Sequence, residues 1–251
     1  MGFEYDWIAL IIIGVFAGAL NTIAGGGSLI TLPFLIFLGL PPSIANGTNR
    51  IAILFQTASA VTGFKSKGVT TFPFSIFLGA SAFVGSIIGT QIAIDIKGET
   101  FNKILSIVML IVVALIVFKK KTTSLKNLTE RTTGKHLWIS VFIFFFIGIY
   151  GGFINAGIGF IMLLLLPMVN RLSLVKANAT KVTVAFIYTT AAVVLFIIND
   201  KINWKYGLIL AIGNSTGAWL ASRYSVKKGD SFIRIVLLIV VSAMAFKLWL
   251  F

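Results

Sequence analysis

Three polar clusters interrupt an otherwise apolar chain, and each carries groups suited to holding a small anion. The first is Asn21-Thr22-Ile23-Ala24-Gly25-Gly26-Gly27-Ser28, set between a long apolar run and a short one. Three consecutive glycines cost a continuous helix roughly 1 kcal/mol each, so a break is expected there. Free N–H groups at the start of a helix over 28–40, with Ser28 able to cap it, would form a nest whose dipole favours negative charge. Close helix approach is the competing reading of such glycines. It accounts for Gly14, Gly18, Gly148 and Gly152, and accounts less well for a triplet beside a helix start.

The second cluster is Pro41-Pro42-Ser43-Ile44-Ala45-Asn46-Gly47-Thr48-Asn49-Arg50, directly before an uncharged run from Ile51 to Phe64. Pro42 suits the first turn of a helix, where its missing N–H would have had no partner anyway. Asn46, Thr48, Asn49 and Arg50 then fall within about one turn, too polar for a lipid-facing surface. The third cluster, Ala177-Asn178-Ala179-Thr180-Lys181, repeats the second with lysine one position early. A cation inside a bilayer costs ~2.5–3.5 kcal/mol on insertion scales and faces a partner or a wet cavity. Two readings of Arg50 and Lys181 stand open: both snorkel to headgroups, or both serve an internal site. No Asp or Glu falls inside an apolar run, so a carboxylate proton relay has no residue. The natural counter-charge of Arg50 and Lys181 is then a ligand, and charge-assisted hydrogen bonds of ~1.5–3 kcal/mol each would offset dehydration of a small oxyanion.

The composition supplies the setting. The 251 residues are 58% hydrophobic and only 11% charged, with a mean hydropathy of +1.01; soluble domains run near 25% charged. Neither a soluble nor a disordered chain has this profile. Cysteine is absent and histidine occurs once, which removes thiolate metal sites, cysteine nucleophiles and any metal centre. No cofactor is implied, and an enzyme would need an acid, histidine or cysteine in the spans. The net charge of +14 comes from basic residues clustered between apolar runs, as cytoplasmic loops require, and not from a folded basic face for nucleic acid. His136 reads as interfacial, and Trp138, Trp204 and Trp249 as interface anchors.

The fold class is therefore an all-α polytopic membrane protein. Apolar stretches fall at 7–24, 28–40, 43–64, 70–94, 100–118, 137–156, 160–169, 177–198, 204–222 and 232–250. Eight are long enough for a bilayer of ~30 Å; 28–40 and 160–169 are short and read as discontinuous or re-entrant helices. Gly14, Gly18, Asn21, Gly25 and Pro33 recur 134 residues later as Gly148, Gly152, Asn155, Gly159 and Pro167. After a two-residue deletion, Asn46 and Thr48 recur as Asn178 and Thr180, and Gly85 as Gly217. The reading is a duplication: a first transmembrane repeat over 1–118, a basic cytoplasmic linker over 119–136 and a second repeat over 137–251. With five segments per repeat, Lys65, Lys67, Arg171, Lys176, Arg223, Lys227 and Lys228 share the cytoplasmic side, while Glu4, Asp6, Asp95, Glu99 and Asp200 fall outside. That makes the repeats inverted, with both termini outside. Glu4 and Asp6 in place of a basic region argue against a cleavable leader, so the location is the cell (inner, plasma) membrane.

Asn21-x-x-Ala24-Gly25-Gly26-Gly27-Ser28, followed by Pro33, Gly39, Pro42, Ala45 and Thr48-Asn49, resembles the signature of the TauE/SafE (sulfite exporter) membrane permeases. Length, duplication and loop pattern are similar too, so the resemblance covers essentially the whole chain. It implies transport of sulfite, sulfoacetate or other organosulfonates, mostly outward in bacteria. It carries that substrate class onto Gly25, Gly26, Gly27, Ser28, Thr48 and Asn49. The second half departs from the pattern: Gly157-Ile158-Gly159-Phe160-Ile161 replaces a glycine-rich stretch, and Lys181 stands where the first half has Asn49. One asymmetric site is expected, with Asn21 and Asn155 orienting the oxygens, Asn178 beside them, and Arg50 or Lys181 supplying charge. The expected function is a secondary carrier of small sulfur-containing anions working by alternating access. The rival reading is an anion-selective channel. Expected partners are the anion and the lipid bilayer, with a homo-oligomer left open.

Overall fold

The glycine triplet does interrupt a helix. A computed structural model describes residues 6–117 and 129–250, and every regular element among them is α-helical. In order they are α1 (Asp6–Ile23), α2 (Ser28–Phe37), α3 (Pro42–Lys65), α4 (Phe74–Asp95), α5 (Gly98–Val117), α6 (Gly134–Phe153), α7 (Ile158–Asn170), α8 (Leu174–Ile198) and α9 (Trp204–Leu250). Gly229, at φ 73° and ψ −169°, breaks α9 into two arms, 204–228 and 230–250. The linker residues Lys119, Lys120, Lys121 and Lys126, the acid Glu4, and the side chains of Arg234 and Trp249 lie outside the described residues.

Local chemistry sets the short elements. α2 has 10 residues and spans ~15 Å, about half a bilayer core. It ends two residues earlier than Gly39, which adopts φ 89° before Pro41 and Pro42. The expected helix over 28–40 is therefore three residues too long, because the left-handed glycine and the prolines stop it. α7 has 13 residues instead of the ten expected over 160–169, and stops where Arg171 takes φ 55°. Pro42 does open α3. Ser173 caps α8, its hydroxyl accepting from the Lys176 N–H at 3.2 Å.

Three described helices, α4, α6 and α8, are long and apolar enough to cross a bilayer. α3 is 24 residues long, yet carries Asn46, Thr48, Asn49, Arg50 and Gln56, all buried. Its polarity faces protein. The outer surface shows the reverse: Ile12 and Phe16 on α1 are each 64% exposed, and Phe142 on α6 is 67% exposed. Apolar side chains outside and polar ones inside are what a lipid solvent selects.

The two ends of the sequence are interleaved. α1 packs most extensively on α9, and α4 on α6, while α3 and α8 contact one another. Gly14 and Gly18 let α1 approach the backbone of α9 at Leu210 and Asn214; Gly148 and Gly152 let α6 approach α4 at Ala82 and Ser86. One apolar cluster joins Leu10, Leu29, Leu32 and Ala52 to Leu210; a second joins Phe144, Met162 and Val184 to Leu78. α4 thus completes the core of α6–α8, and the first arm of α9 completes that of α1–α3.

Candidate functional site

The last carbonyls of an α-helix have no partner within it, and both interrupted helices end in the protein interior. At the end of α1, Lys181 Nζ donates to the carbonyls of Asn21 and Thr22, each at 2.8 Å. Asn178 Nδ2 donates to the Ile23 carbonyl at 3.1 Å. The third Lys181 bond goes to Asn178 Oδ1 at 2.6 Å. At the end of α6, Arg50 donates to the carbonyls of Gly151 and Gly152 at 2.5 and 2.9 Å, and Asn46 Nδ2 to that of Phe153 at 2.8 Å. Three consecutive terminal carbonyls are therefore clamped at each break by an asparagine–cation pair from the central helix of the other half. Cations are favoured at such ends by the helix dipole.

Arg50 is fully buried and Lys181 only 4% exposed, so neither snorkels. Helix ends already accept their hydrogen bonds, so neither group needs a ligand to be paired. Those ends are dipoles, however, and not countercharges. Among the described residues the ion pairs are Lys103–Glu99 and Lys176–Glu130, and neither touches this centre. Two basic side chains thus lie in the interior with no carboxylate among the described residues in ion-pair reach, and Arg50 Nε keeps no hydrogen-bond partner.

Beside Lys181 lies a cavity of about 20 Å³, room for one water, with polar lining from Asn21, Gln56, Thr57, Asn155, Lys181 and Tyr188. In the lining, Asn21 and Asn155 stand 134 residues apart in the sequence, and Gln56 and Tyr188 stand 132 apart. Asn155 holds φ 63°, and its Oδ1 accepts from the Tyr188 hydroxyl at 2.5 Å. Tyr150 donates to the Ala156 carbonyl in the same loop. Gln56 Oε1 accepts from Asn214 Nδ2 at 3.1 Å.

The glycine triplet is not in that lining. Gly25 adopts φ 95°, and a Cβ there would collide with the backbone of Gly159. Gly26 lies under the Phe160 ring and Gly27 against the Ala17 carbonyl. Ser28 is the first residue of α2 and caps nothing: Gly27 holds the N-cap place in helical geometry, without a side-chain bond. Among the described residues no acceptor meets the N–H groups of Gly26, Gly27 and Ser28. Thr48 Oγ1 accepts from the Asn203 N–H at 2.9 Å. Asn49 Oδ1 accepts from Thr31 Oγ1 at 2.8 Å. Both tie α3 to its neighbours and stand away from the cavity lining. The fold thus gathers Asn21, Asn155 and Lys181, with Asn178 behind them and Arg50 on the opposite clamp. Gln56, Thr57 and Tyr188 were not singled out from sequence, although the 132-residue offset pairs two of them as polar residues in apolar runs.

Membrane-length helices, an apolar exterior and a cationic polar interior define a multi-pass membrane protein built around a buried polar centre. The family model described as "Sulfite exporter TauE/SafE" matches residues 10–248, and the chain belongs to this family of membrane transporters. It is 30% identical over 249 residues to a "Probable membrane transporter protein" of Haemophilus influenzae, covering 99% of this chain and 96% of that one. A relative from Sinorhizobium sp, "Probable membrane transporter protein ORF9", is 28% identical over 97% of this chain and 93% of its own. "Probable membrane transporter protein YfcA" of Escherichia coli is 26% identical, with 95% and 88% covered. No solved structure matches the chain significantly.

Proposed function

We propose that this protein is a secondary carrier that exports sulfite or a small organosulfonate, holding the anion between two inverted repeats. The observation that carries this reading is Lys181, a buried cation with no carboxylate among the described residues within ion-pair reach, at the edge of a cavity it shares with Asn21 and Asn155. A sulfonate brings one negative charge and three acceptor oxygens; the asparagine amides donate to those oxygens, and the two interior cations supply the field. Gln56 adds an amide donor to the same space, and the Tyr188 hydroxyl, donating to Asn155 Oδ1, orients that amide. Buried interior charges without acids favour anions over cations, and membership in the family favours sulfur oxyanions among anions.

The cavity holds about 20 Å³, less than any sulfonate needs, which supports a carrier that must open and reclose over a permanently open pore. One half rocking against the other is the matching motion, and α4 and α9, each packed into the other half, are the elements that would move with it. In this reading the chain divides at the linker over 119–136, both termini lie outside, and the host is the cell (inner, plasma) membrane. Expelling one negative charge from an interior-negative cell is favoured by ~2.3 kcal/mol per 100 mV, so export needs no coupling ion.

Liposome flux tests this. Labelled sulfoacetate should leave at a rate that saturates and rises when unlabelled sulfoacetate is placed outside. A rate linear in concentration with no counter-exchange supports the channel instead. Equal flux of chloride and phosphate would remove the sulfonate assignment.

A further inference from the structure

The basic residues near the end of the first arm of α9 pair with aromatic rings and not with acids. Arg223 Cζ lies 4.5 Å from the centre of the Trp219 ring, and Lys228 Nζ lies 5.6 Å from that of the Tyr224 ring. Lys227, between them, is exposed. Among the described residues the ion pairs are Lys103–Glu99 and Lys176–Glu130, so no carboxylate there answers these three cations. The one acid close by in sequence, Asp230, already accepts the Leu174 and Val175 N–H groups.

Helical spacing places these groups on the outer face of the arm. Trp219, Arg223 and Lys227 follow at steps of four, within about 80° of the circumference. Ile212 and Leu220 continue that exposed face toward the bilayer interior, while Asn214, Ala218, Ala221 and Ser225 on the other side are buried. Lys228 stands at the flank. The Tyr224 ring packs edge-on against Phe232 of the second arm, 5.1 Å between centres, and so bridges the break at Gly229, around which the space is open. A cation over a ring keeps its N–H donors for a further partner, and interfacial Trp and Tyr mark the headgroup level. Unpaired cations at that level, with apolar side chains running inward from them, match a molecule that has a phosphate and an acyl chain. A zwitterionic headgroup brings these cations no net charge, whereas an anionic one brings the charge they lack.

We infer that the outer face of α9 at its Gly229 elbow binds one anionic phospholipid of the phosphatidylglycerol type. Arg223 and Lys227 take the headgroup phosphate, Lys228 adds positive field from the flank, and the Trp219 and Tyr224 rings hold Arg223 and Lys228 in place. An acyl chain lies along Leu220 and Ile212. The site is separate from the central cavity and does not depend on which anion is carried. Because Asp230 ties the same elbow to the start of α8, a lipid bound there also steadies the helix that carries Lys181.

Native mass spectrometry of the full chain in detergent, titrated with phosphatidylglycerol or with phosphatidylcholine of the same acyl chains, tests this. The parent should bind the first phosphatidylglycerol on the order of tenfold more tightly than phosphatidylcholine. A triple variant, Arg223→Ala with Lys227→Ala and Lys228→Ala, should lose that preference, and its melting in phosphatidylcholine shows that it is folded. Trp219→Leu keeps all three charges but removes the ring under Arg223, and should weaken phosphatidylglycerol binding severalfold. A control with Lys65→Ala, Lys67→Ala and Lys135→Ala removes three exposed cations from elsewhere and should bind as the parent does. Equal loss in that control, with Trp219→Leu unchanged, would reveal a diffuse positive surface and overturn the site. A parent with no preference between the two lipids overturns it as well, as does displacement of the bound lipid by an equal concentration of soluble glycerol phosphate. None of these readouts involves the central cavity, so their failure leaves the carrier reading standing.

Discussion

Lys181 Nζ lies 2.8 Å from the carbonyl oxygen of Thr22, in the last turn of the helix that precedes the glycine break. The bond joins residues 159 apart in the sequence and fixes where α1 stops relative to α8. Arg50 and Gly152 form the counterpart at the end of α6, at 2.9 Å. The cations therefore have a structural task as well as an electrostatic one, and the two can be separated by substitution.

Lys181→Ala leaves three acceptors without their donor. Each orphaned buried group costs ~1–3 kcal/mol, so the detergent-solubilised protein should melt well below the parent. Lys181→Arg, which keeps charge and donors, should recover most of the loss. A thermal scan of the three proteins checks this ordering, and equal melting of the Ala and Arg variants would refute the clamp.

Gly25→Ala meets two penalties. A left-handed residue with a Cβ costs ~1–2 kcal/mol, and that Cβ collides with Gly159, adding ~1–3 kcal/mol of overpacking. Gly39→Ala shares the positive φ, at 89°, but meets open space. Gly25→Ala should thus cost clearly more than Gly39→Ala in a side-by-side unfolding comparison.

Tyr188→Phe removes the donor to Asn155 Oδ1 and leaves the ring in place. Sulfoacetate affinity should fall about tenfold, the equivalent of ~1.4 kcal/mol for a lost oriented hydrogen bond, while melting falls by less than in Lys181→Ala, because one acceptor is orphaned instead of three. Titration of the purified variant measures both the affinity and the occupancy.

Asp230, next to the break at Gly229, accepts the N–H groups of Leu174 and Val175, both at 3.0 Å. It holds the start of the helix that carries Lys181. Asp230→Ala should destabilise by ~0.5–2 kcal/mol, as for loss of an N-cap, and Asp230→Asn by less. Circular dichroism melts distinguish them.

The helical segments were legible because the bilayer imposes a length on each apolar run, and Gly25 and Pro42 announced their own break and start. Ends set by tertiary geometry were not: Gly39 and Arg171 end helices through positive φ, which hydropathy does not register. Sequence also singled out Asn21, Asn155, Asn178, Arg50 and Lys181, but not what the last three touch. Arg50 and Lys181 read as ligands because no acid stood near, whereas the partners they meet, with Asn46 and Asn178 beside them, are backbone carbonyls, present at every residue and visible only once two helices are known to stop there. Gln56 and Tyr188, each beside a threonine in an otherwise apolar run, carried a signal only as a pair.

The central claim is that a sulfonate is held beside Lys181 and the two cavity asparagines, Asn21 and Asn155. Its most direct measurement is calorimetric titration of sulfoacetate into the purified protein in detergent, comparing the parent with Lys181→Arg and with Asn155→Gly, which keeps the left-handed backbone. The account predicts saturable binding by the parent, binding retained with Arg, and affinity lowered at least about tenfold in Asn155→Gly by loss of a buried donor to a charged oxygen. Undiminished affinity in folded Asn155→Gly, or in a folded Lys181→Gln, would contradict it.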